Sequence, residues 1–586
     1  MAESTEYPQI KLLPNELLYM ILDNNSCREI LNFGLTCKSF YALVCDNQYL
    51  WKEKFKKTLP QYIYDVVEMY GDGQWLKELK RYCTIKHAVH AELLSMSSKY
   101  YWRTTEISMK DIENFFDLAL GYNCNHYYVV TILQELLKIG NDIMDLNQSD
   151  PPYTLTEMFY AKIVLRYLTQ PFLAIKWFQN HMRNVLSPEV VLNFFMEWTT
   201  SRMHPEKDAE TAIRGLVEQV EKIFPNEKSQ SSCTIPEKIS KGLLKRIEVL
   251  CAVSEVIYLH NHMALIPSAN LETLDISEVC RTKCGHSIAV AAIYQAVASR
   301  CGVQCDLIAF PNHLFLEWRD ADTPGLIFKI DLVTGAIVQK GRCPYSRGPL
   351  REDIRYCPDT FLQYIVSSFL MSMGALRNWN TQNATKLQDF LSTNPTEDNP
   401  YRNYQEYLLD YDLLPAMSIT LNPVFIDDSH IKMLKHLVKI TCSSAPVSRT
   451  ANVTGRSGGV TFAVGMICYH QKYDYLCVIR GWDPTCSIDM RQRLELKSLR
   501  SGLRQPFYNV VAIDQSERYV AQEFLVDVAR PNRLYHLEEV IAKYFTHYDG
   551  YCYVPNAEME GEYPYDGPIR ALYKDRFELR NQQQVE

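Results

Sequence analysis

Residues 12–55 read LLPNELLYMILDNNSCREILNFGLTCKSFYALVCDNQYLWKEKF, and this stretch decides the N-terminal part of the fold. Leu17, Met20 and Ile21 recur at helical spacing, which predicts an amphipathic first helix. Further apolar residues at three- and four-residue steps predict two more helices. The sequence therefore predicts a separable three-helix unit over residues 10–56.

A unit of this size is too small to bury a sufficient core. Chains of about forty residues usually need a partner to be stable. The apolar face formed by Leu12, Leu13, Leu17 and Ile21 is therefore expected to be a docking surface. The alternative is an ordinary helical cap on the next domain, and periodicity alone leaves both interpretations open.

The same stretch resembles the F-box family. The resemblance is carried by Leu13-Pro14, Glu16, Ile21-Leu22, Cys37-Lys38 and Trp51, whereas the polar run DNNSCRE replaces the usual apolar turn after the first helix. The resemblance implies binding to the Skp adaptor, and through it to a cullin and a ubiquitin-charged conjugating enzyme. The positions that match the adaptor-contacting ones are Leu13, Pro14, Leu17, Ile21 and Leu22.

Composition excludes several other classes of protein. The net charge of -8 gives no overall attraction to nucleic acid or anionic lipid. The 18 cysteines include no CxxC pair, and no apolar run is long enough to span a membrane. We therefore expect a reduced protein of the cytoplasm or nucleus, with no metal, no cofactor and no membrane partner.

The rest of the chain divides by its patterning into a multidomain α+β arrangement. Helical spacing predicts a mostly helical middle, and β-rich runs bounded by Pro and Gly predict strands further on. The segments are a helical region at 57–185, an α+β domain with helical flanks at 186–440, a linker at 441–459, a small β-barrel domain at 460–555 and an acidic, Tyr-rich tail at 556–586. The tail composition favours an exposed or partly disordered segment.

The α+β domain contains a candidate catalytic pair. His313 begins the strand-like run HLFLEW, and Asp331 lies on the next run, FKIDL. A histidine base oriented by an acid on a neighbouring strand is the arrangement that activates a nucleophile at a helix N-terminus. The simpler interpretation of His313 is a buried histidine that hydrogen-bonds across the strands.

CGHSIAVAAIYQAVASRCGV at 284–303, with PNH at 311–313 and FKIDL, resembles the transglutaminase-like superfamily, in particular its bacterial SirB branch. The nucleophile position implied by the resemblance falls on Ser287. Cys284 lies three residues earlier, which would put it before the helix. A serine hydroxyl is a much weaker acid than a thiol. We interpret Ser287, His313 and Asp331 as vestigial and the domain as inactive, with a transglutaminase-like or cysteine-protease-like hydrolase as the alternative.

The C-terminal domain carries the segments FAVGMICYHQKYDYLCVIRGWDPTC at 462–486 and QPFYNVVAIDQSERYVAQEFL at 505–525. They resemble the YccV/HspQ family named for hemimethylated-DNA binding, some members of which resemble modulators of proteolysis. Basic residues here are interleaved with acidic ones, whereas a nucleic-acid surface is usually one-sided. Recognition of a protein is therefore favoured over DNA. The candidates for a client or ligand surface are Trp482, Asp483, Tyr508 and Tyr519, although an aromatic core is the simpler role.

The order of the three blocks resembles the F-box only protein 21 family. The resemblance implies the substrate-recognition subunit of a Skp–cullin–F-box (SCF) ubiquitin ligase that recruits protein clients for degradation. No catalytic residue is required in this chain, because such a ligase works by tethering the client near the conjugating enzyme. An enzyme and a DNA-binding adaptor are the two alternatives.

Overall fold

The chain is seen in a computed structural model, which describes most of its length. The described residues are 10, 13–103, 107, 109–122, 124–144, 153–182, 185–201, 205–225, 233–310, 313–319, 326–339, 354–355, 357–374, 376, 378–391, 453–456, 458–487 and 499–583. Among the helices in these ranges, none is both long and apolar enough to cross a membrane.

The N-terminal unit has four helices where three were expected. Its second helix begins with a capping box formed by Ser26 and Glu29, and the fourth begins where the Asn47 side chain accepts a hydrogen bond from the Leu50 amide. The fourth helix carries Trp51. The four are α1 (Asn15–Asp23), α2 (Cys27–Gly34), α3 (Lys38–Cys45) and α4 (Gln48–Thr58).

The predicted helical middle is confirmed over its described residues. Pro60 occupies the N-cap position of the first of its helices, with the non-helical backbone that is typical of an N-cap residue. The helices are α5 (Gln61–Tyr70), α6 (Trp75–Tyr100), α7 (Glu113–Leu120), α8 (Asn125–Met144) and α9 (Leu155–Met182).

The next unit is α+β, as expected. It contains α10 (Pro188–Thr200), α11 (Pro205–Ile223), α12 (Ile235–Ser240), α13 (Arg246–Ser254), β1 (Ala264–Leu265), α14 (Leu271–Leu274), α15 (Ile276–Thr282), β2 (Cys284–Gly285), α16 (Ser287–Arg300), β3 (Asp306–Phe310), β4 (His313–Arg319), β5 (Ile327–Ile330), β6 (Ile337–Gln339), β7 (Ile354–Arg355), α17 (Pro358–Met373) and α18 (Trp379–Leu391). A five-stranded antiparallel sheet has the order β6-β5-β4-β3-β7. The predicted helical flank at 392–440 and most of the predicted linker lie outside the described residues.

The C-terminal unit contains β8 (Ile467–His470), β9 (Tyr475–Asp483), β10 (Phe507–Ala512), β11 (Glu517–Ala521), β12 (Leu525–Asp527), α19 (Tyr535–Ile541), β13 (Phe545–Tyr548), β14 (Tyr553–Pro555), α20 (Ala557–Glu562) and α21 (Gly567–Gln583). Five strands form a sheet in the order β11-β10-β9-β8-β12. A small β-barrel was predicted; among the described residues, β11 and β12 are the two outer strands and are not paired with each other, so a closed barrel is not shown. The described strands form an antiparallel sheet.

Buried apolar side chains form two cores. The first joins the N-terminal helices, through Leu168, with the C-terminal unit from Val460 to Phe577. The second extends from Leu173 to Phe390. Helix α9 contributes to both cores, so it connects the α+β unit to the rest of the molecule.

The C-terminal segment at 556–586 differs from the expectation of an exposed or partly disordered tail. It forms α20 and α21, and its Tyr563 and Tyr573 are 8% and 3% exposed. Asp566 is fully buried. The acidic composition was misleading because this carboxylate has its partners, Arg456, Val464 and Trp482, far away in the sequence.

Candidate functional site

The exposed face of α1 is the first candidate site. Leu17, Met20 and Ile21 are 46%, 68% and 49% exposed, although all three are large apolar residues. Pro14 is also exposed, and Leu13 is half-buried. A contiguous exposed apolar patch marks an interaction surface. Sequence reasoning omitted Met20 from the site, although its spacing from Leu17 was the signal that could have included it.

The opposite face of α1 anchors the helix. Leu18 and Leu22 are both 3% exposed, and Leu22 belongs to the first core. Leu22 was expected among the docking residues, but it points inward because it follows Leu18 by one helical turn. Pro14 occupies the N-cap position of α1, and Asn15 is its first helical residue.

The C-terminal end of α1 is held by α4. Lys54 is only 7% exposed, and its ammonium donates hydrogen bonds to the backbone carbonyls of Asp23 and, at 2.8 Å, Asn25. The hydrogen bond from the Lys57 ammonium lowers the pKa of the Asp23 carboxyl. Cations suit the free carbonyls at a helix C-terminus. The exposed face is therefore presented by a fixed helix.

The second candidate site lies at the start of α16. Helix α16 packs against β3 and β4. It begins at Ser287, which is half-buried and occupies the expected nucleophile position. Cys284 lies earlier, in β2, where it pairs with Ala264 of β1. The thiol is therefore placed on a strand before the helix.

His286 caps this helix and was missed by sequence reasoning. Its Nδ1 accepts a hydrogen bond from the Ile288 amide at 3.3 Å. Burial lowers the pKa of His286, so the neutral ring is favoured. A protonated Nδ1 could not accept this bond, so the cap also requires the neutral form. The signal in the sequence was a histidine directly before a helical run.

The other two predicted residues of this site lie on the sheet. His313 is the first residue of β4 and pairs through its backbone with Phe310 of β3, whereas its side chain lies outside the described residues. Asp331 was expected on a strand but lies just after the end of β5. Its carboxylate accepts hydrogen bonds from the Val333 amide at 3.3 Å and the Thr334 hydroxyl at 2.7 Å. Asp331 therefore closes its own turn.

The turn after Asp331 rests on Tyr258, in a π-helical segment at Glu255–His260. The Tyr258 hydroxyl donates to the Leu332 carbonyl at 2.8 Å, and burial raises the pKa of Tyr258. Gly335 adopts a φ of +72°, and a Cβ there would lie 2.3 Å from a ring carbon of Tyr258. Only glycine fits this position, so the turn is closely fitted to the ring.

In the C-terminal unit, two of the predicted surface aromatics belong to the core. Trp482 is 1% exposed, and its indole N–H donates to Asp566 at 3.0 Å. Tyr508 is fully buried; its hydroxyl accepts hydrogen bonds from the backbone and donates one to Gln522 at 2.7 Å. The simpler prediction, an aromatic core, is correct for both residues.

Asp483 and Tyr519 remain half-buried at the sheet surface. The Tyr519 hydroxyl donates to Asp483 at 2.7 Å, and the Ser487 hydroxyl donates to the same carboxylate oxygen at 2.8 Å. Burial, together with the hydrogen bond to Asp483, raises the pKa of Tyr519 to about 12. The two residues form a small polar surface patch that contains one carboxylate.

No candidate metal site was found in the part of the chain that the structure describes, where no group of three or more His, Cys, Asp or Glu side chains could hold an ion. Several basic residues in the described part of the C-terminal unit are paired with carboxylates and so do not form a free basic surface. Arg480, for example, donates to Glu517 at 2.9 Å and to the Tyr544 hydroxyl at 3.1 Å.

Comparisons with known proteins match the same three regions. Residues 10–57 match the F-box-like family, residues 207–350 match the transglutaminase-like superfamily, and residues 460–551 match the family described as hemimethylated DNA-binding protein YccV like. No solved structure matches the chain.

The similarity to curated proteins extends along nearly the whole chain. F-box only protein 21 of Mus musculus is 25% identical over 96% of this chain and 94% of its own length. The protein of the same name from Homo sapiens is 25% identical over 94% of this chain and 92% of its own length. With three matched regions and similarity over nearly its whole length, the chain is similar to the proteins named F-box only protein 21.

Proposed function

We propose that this protein is the substrate-recognition subunit of an SCF ubiquitin ligase. It binds the Skp adaptor, and through it a cullin, and it holds protein clients for ubiquitination and proteasomal degradation in the cytoplasm or nucleus. The observation that carries the proposal is the exposed apolar face of α1, Leu17, Met20 and Ile21, within an F-box-like region. Burial of such a face against a partner is favourable by about 25 cal/mol per Å².

The shared core supports a rigid connection between the two ends of the chain. The Ser97 hydroxyl of α6 donates to Glu558 of α20 at 2.6 Å, and the Thr156 hydroxyl of α9 donates to the Ala542 carbonyl at 3.0 Å. The Lys543 ammonium donates to the Arg103 carbonyl at 2.8 Å. The C-terminal unit is thus fixed against the helices that continue from the F-box-like region.

A fixed connection suits a ligase that acts by proximity. A client held on the α+β or C-terminal unit would stay at a set distance from the adaptor, which raises the effective concentration of its lysines at the conjugating enzyme. Within this proposal the patch of Asp483 and Tyr519 is one part of the client surface. In this proposal, no residue of the chain takes part chemically in the transfer of ubiquitin to the client.

We propose that the transglutaminase-like unit is a non-catalytic surface. Two observations support this interpretation. Serine and not cysteine begins α16, and the Asp331 carboxylate is engaged within its own turn. A serine in this position would need a strong base to become a nucleophile.

The proposal predicts the outcome of an affinity pull-down from cell lysate. The wild-type chain should recover the Skp adaptor and a cullin. Leu17→Asp/Ile21→Asp should recover at least about tenfold less of both, because the two carboxylates would be buried without partners in the interface.

The matched control is Leu259→Asp. Leu259 is 67% exposed on the α+β unit, so the same chemical change is made on a surface that the proposal does not assign to the adaptor. This variant should recover the adaptor as the wild type does. Equal recovery by Leu17→Asp/Ile21→Asp, or none by the wild type, would overturn the proposal.

A further inference from the structure

His470 is a buried histidine of the C-terminal unit that has no role in the proposed function. It is the last residue of β8, it is 2% exposed, and its backbone pairs with Tyr475, the first residue of β9. Residues 471–474 form the hairpin that joins the two strands, and all four are exposed. A buried group that can gain a proton near neutral pH, beside an exposed turn, is a candidate for a pH-sensitive contact.

The His470 ring holds this hairpin closed. Its Nδ1 accepts a hydrogen bond from the Tyr473 amide at 3.1 Å, and the His470 backbone carbonyl accepts one from the Asp474 amide at 2.9 Å. An imidazole nitrogen can accept a hydrogen bond only while it carries no proton. The bond from Tyr473 therefore requires the neutral ring, with its proton on Nε2.

Aromatic rings enclose this imidazole. The ring centroid of His470 lies 4.7 Å from that of Tyr475 and 5.1 Å from that of Tyr473. The ring of Phe524 is also stacked on it, with the two centroids 5.6 Å apart. The imidazole is thus removed from water, which would otherwise stabilise its charged form.

Two cations lie on the rings that contact His470. The Lys472 ammonium is 5.2 Å from the ring centroid of Tyr473, and the Arg518 guanidinium is 4.2 Å from that of Tyr475. These rings could otherwise stabilise a charged imidazole through cation–π contacts, but each already has a cation. Protonation of His470 would add a third positive charge beside these two.

The acidic groups of the surrounding elements are mostly engaged with other partners. They are Asp474, which accepts from the Tyr469 hydroxyl, Asp514, which pairs with Arg518, Glu517, which pairs with Arg480, Glu523, which accepts from the Arg500 and Ser501 amides, and the exposed Asp527. Burial lowers the pKa of His470; its own backbone carbonyl acts in the opposite direction, and Arg518 and Lys472 lower the pKa further. The net effect of the surroundings is to favour the neutral ring.

We propose that His470 makes the β8–β9 hairpin of the C-terminal unit sensitive to acid, because protonation of its ring releases residues 471–474 from the sheet. The pKa of a free histidine is about 6.5, and that of His470 in the folded chain is lower. The contribution of His470 to the stability of the hairpin is therefore complete above about pH 6.5 and is lost as the pH falls from there to the lower pKa of the folded state. The inference goes beyond the proposed function and does not depend on adaptor binding.

The test is amide hydrogen exchange of the full chain, measured by mass spectrometry at about pH 7.5 and about pH 5.5 and corrected for the intrinsic exchange rate at each pH. Exchange reports the opening of a local region. The protection of the Tyr473 and Asp474 amides should fall at least about threefold at the lower pH, relative to the protection of the β10 amides.

His470→Asn is the decisive variant. The Oδ1 atom of asparagine can replace Nδ1 as the acceptor for the Tyr473 amide, but it gains no proton in this pH range. The fall in protection should therefore disappear. The matched control is His536→Asn, since His536 is an exposed histidine of the same unit, and this variant should show the same fall as the wild type.

If circular dichroism shows that His470→Asn is unfolded, Lys472→Gln replaces it. Lys472 is exposed, and removal of its charge should reduce the fall in protection by about half, because one of the two cations beside the ring is gone. The proposal would be overturned by a wild-type hairpin whose protection falls no more than that of β10. It would equally be overturned by a folded His470→Asn or Lys472→Gln that keeps the full fall, or by loss of the fall in His536→Asn.

Discussion

Asp566→Ala is expected to destabilise the C-terminal unit by about 3–5 kcal/mol, because it leaves a buried cation without its partner. Asp566 is fully buried, and one of its oxygens pairs with the Arg456 guanidinium. The other oxygen accepts hydrogen bonds from the Val464 amide at 2.7 Å and the Trp482 indole at 3.0 Å. A single carboxylate therefore joins the C-terminal segment, the turn that precedes β8, and β9.

Hydrogen exchange of the β8–β11 amides measures this effect, since it reports the opening free energy of one region in a chain of several units. The matched control is Asp514→Ala, which removes the acid of a partly exposed pair with Arg518. That change should cost less than about 1 kcal/mol. Equal protection in both variants would show that the Asp566 network does not stabilise the unit.

Trp51→Ala is expected to have an effect of similar size on the N-terminal helices. Trp51 is fully buried, and its indole N–H donates to the Val44 carbonyl at 2.7 Å. Truncation of a buried tryptophan usually costs about 3–5 kcal/mol, and here it also leaves a carbonyl of α3 without its hydrogen bond. Amide exchange in α1 to α4 should therefore accelerate strongly.

The control for this prediction lies on the same helix. Tyr49 is 74% exposed, so Tyr49→Ala should change the opening free energy by less than about 0.5 kcal/mol. Adaptor binding should weaken for Trp51→Ala in proportion to the fraction of molecules in which helices α1 to α4 are unfolded. Unchanged exchange after Trp51→Ala would contradict the assignment of this residue to the core.

The features that depend on local spacing could be predicted from the sequence. Apolar residues at helical steps gave α1 and its exposed residues Leu17 and Ile21, and the resemblance to the transglutaminase-like superfamily pointed to Ser287, which begins α16. These predictions succeed because helix periodicity and helix starts are encoded within a few residues.

The features that were missed depend on contacts between distant segments. The tail was expected to be exposed because the sequence around Asp566 does not indicate that Arg456 is its partner. Strand-like runs were recognised, but their order, which leaves β11 and β12 as separate edges, is set by pairing between segments. Likewise Trp482 and Tyr508 could not be assigned to surface or core until the segments that cover them were placed.

A stripe of buried polar side chains on α10 illustrates a third case, in which the spacing was visible in the sequence but its partners were not. Glu189, Asn193 and Glu197 share a helix face by their spacing alone. Such a stripe is more often a solvated face. The fold brings Arg300 of α16 beside it, where its guanidinium pairs with Glu189.

The most direct test of the central claim is calorimetric titration of the purified full chain with purified Skp adaptor bound to the N-terminal part of a cullin. The account predicts one-to-one binding by the wild type and by Leu259→Asp, and binding at least about 100-fold weaker by Leu17→Asp/Ile21→Asp. No binding by the wild type, or equal binding by Leu17→Asp/Ile21→Asp, would contradict the claim that the exposed face of α1 docks this chain on a ubiquitin ligase.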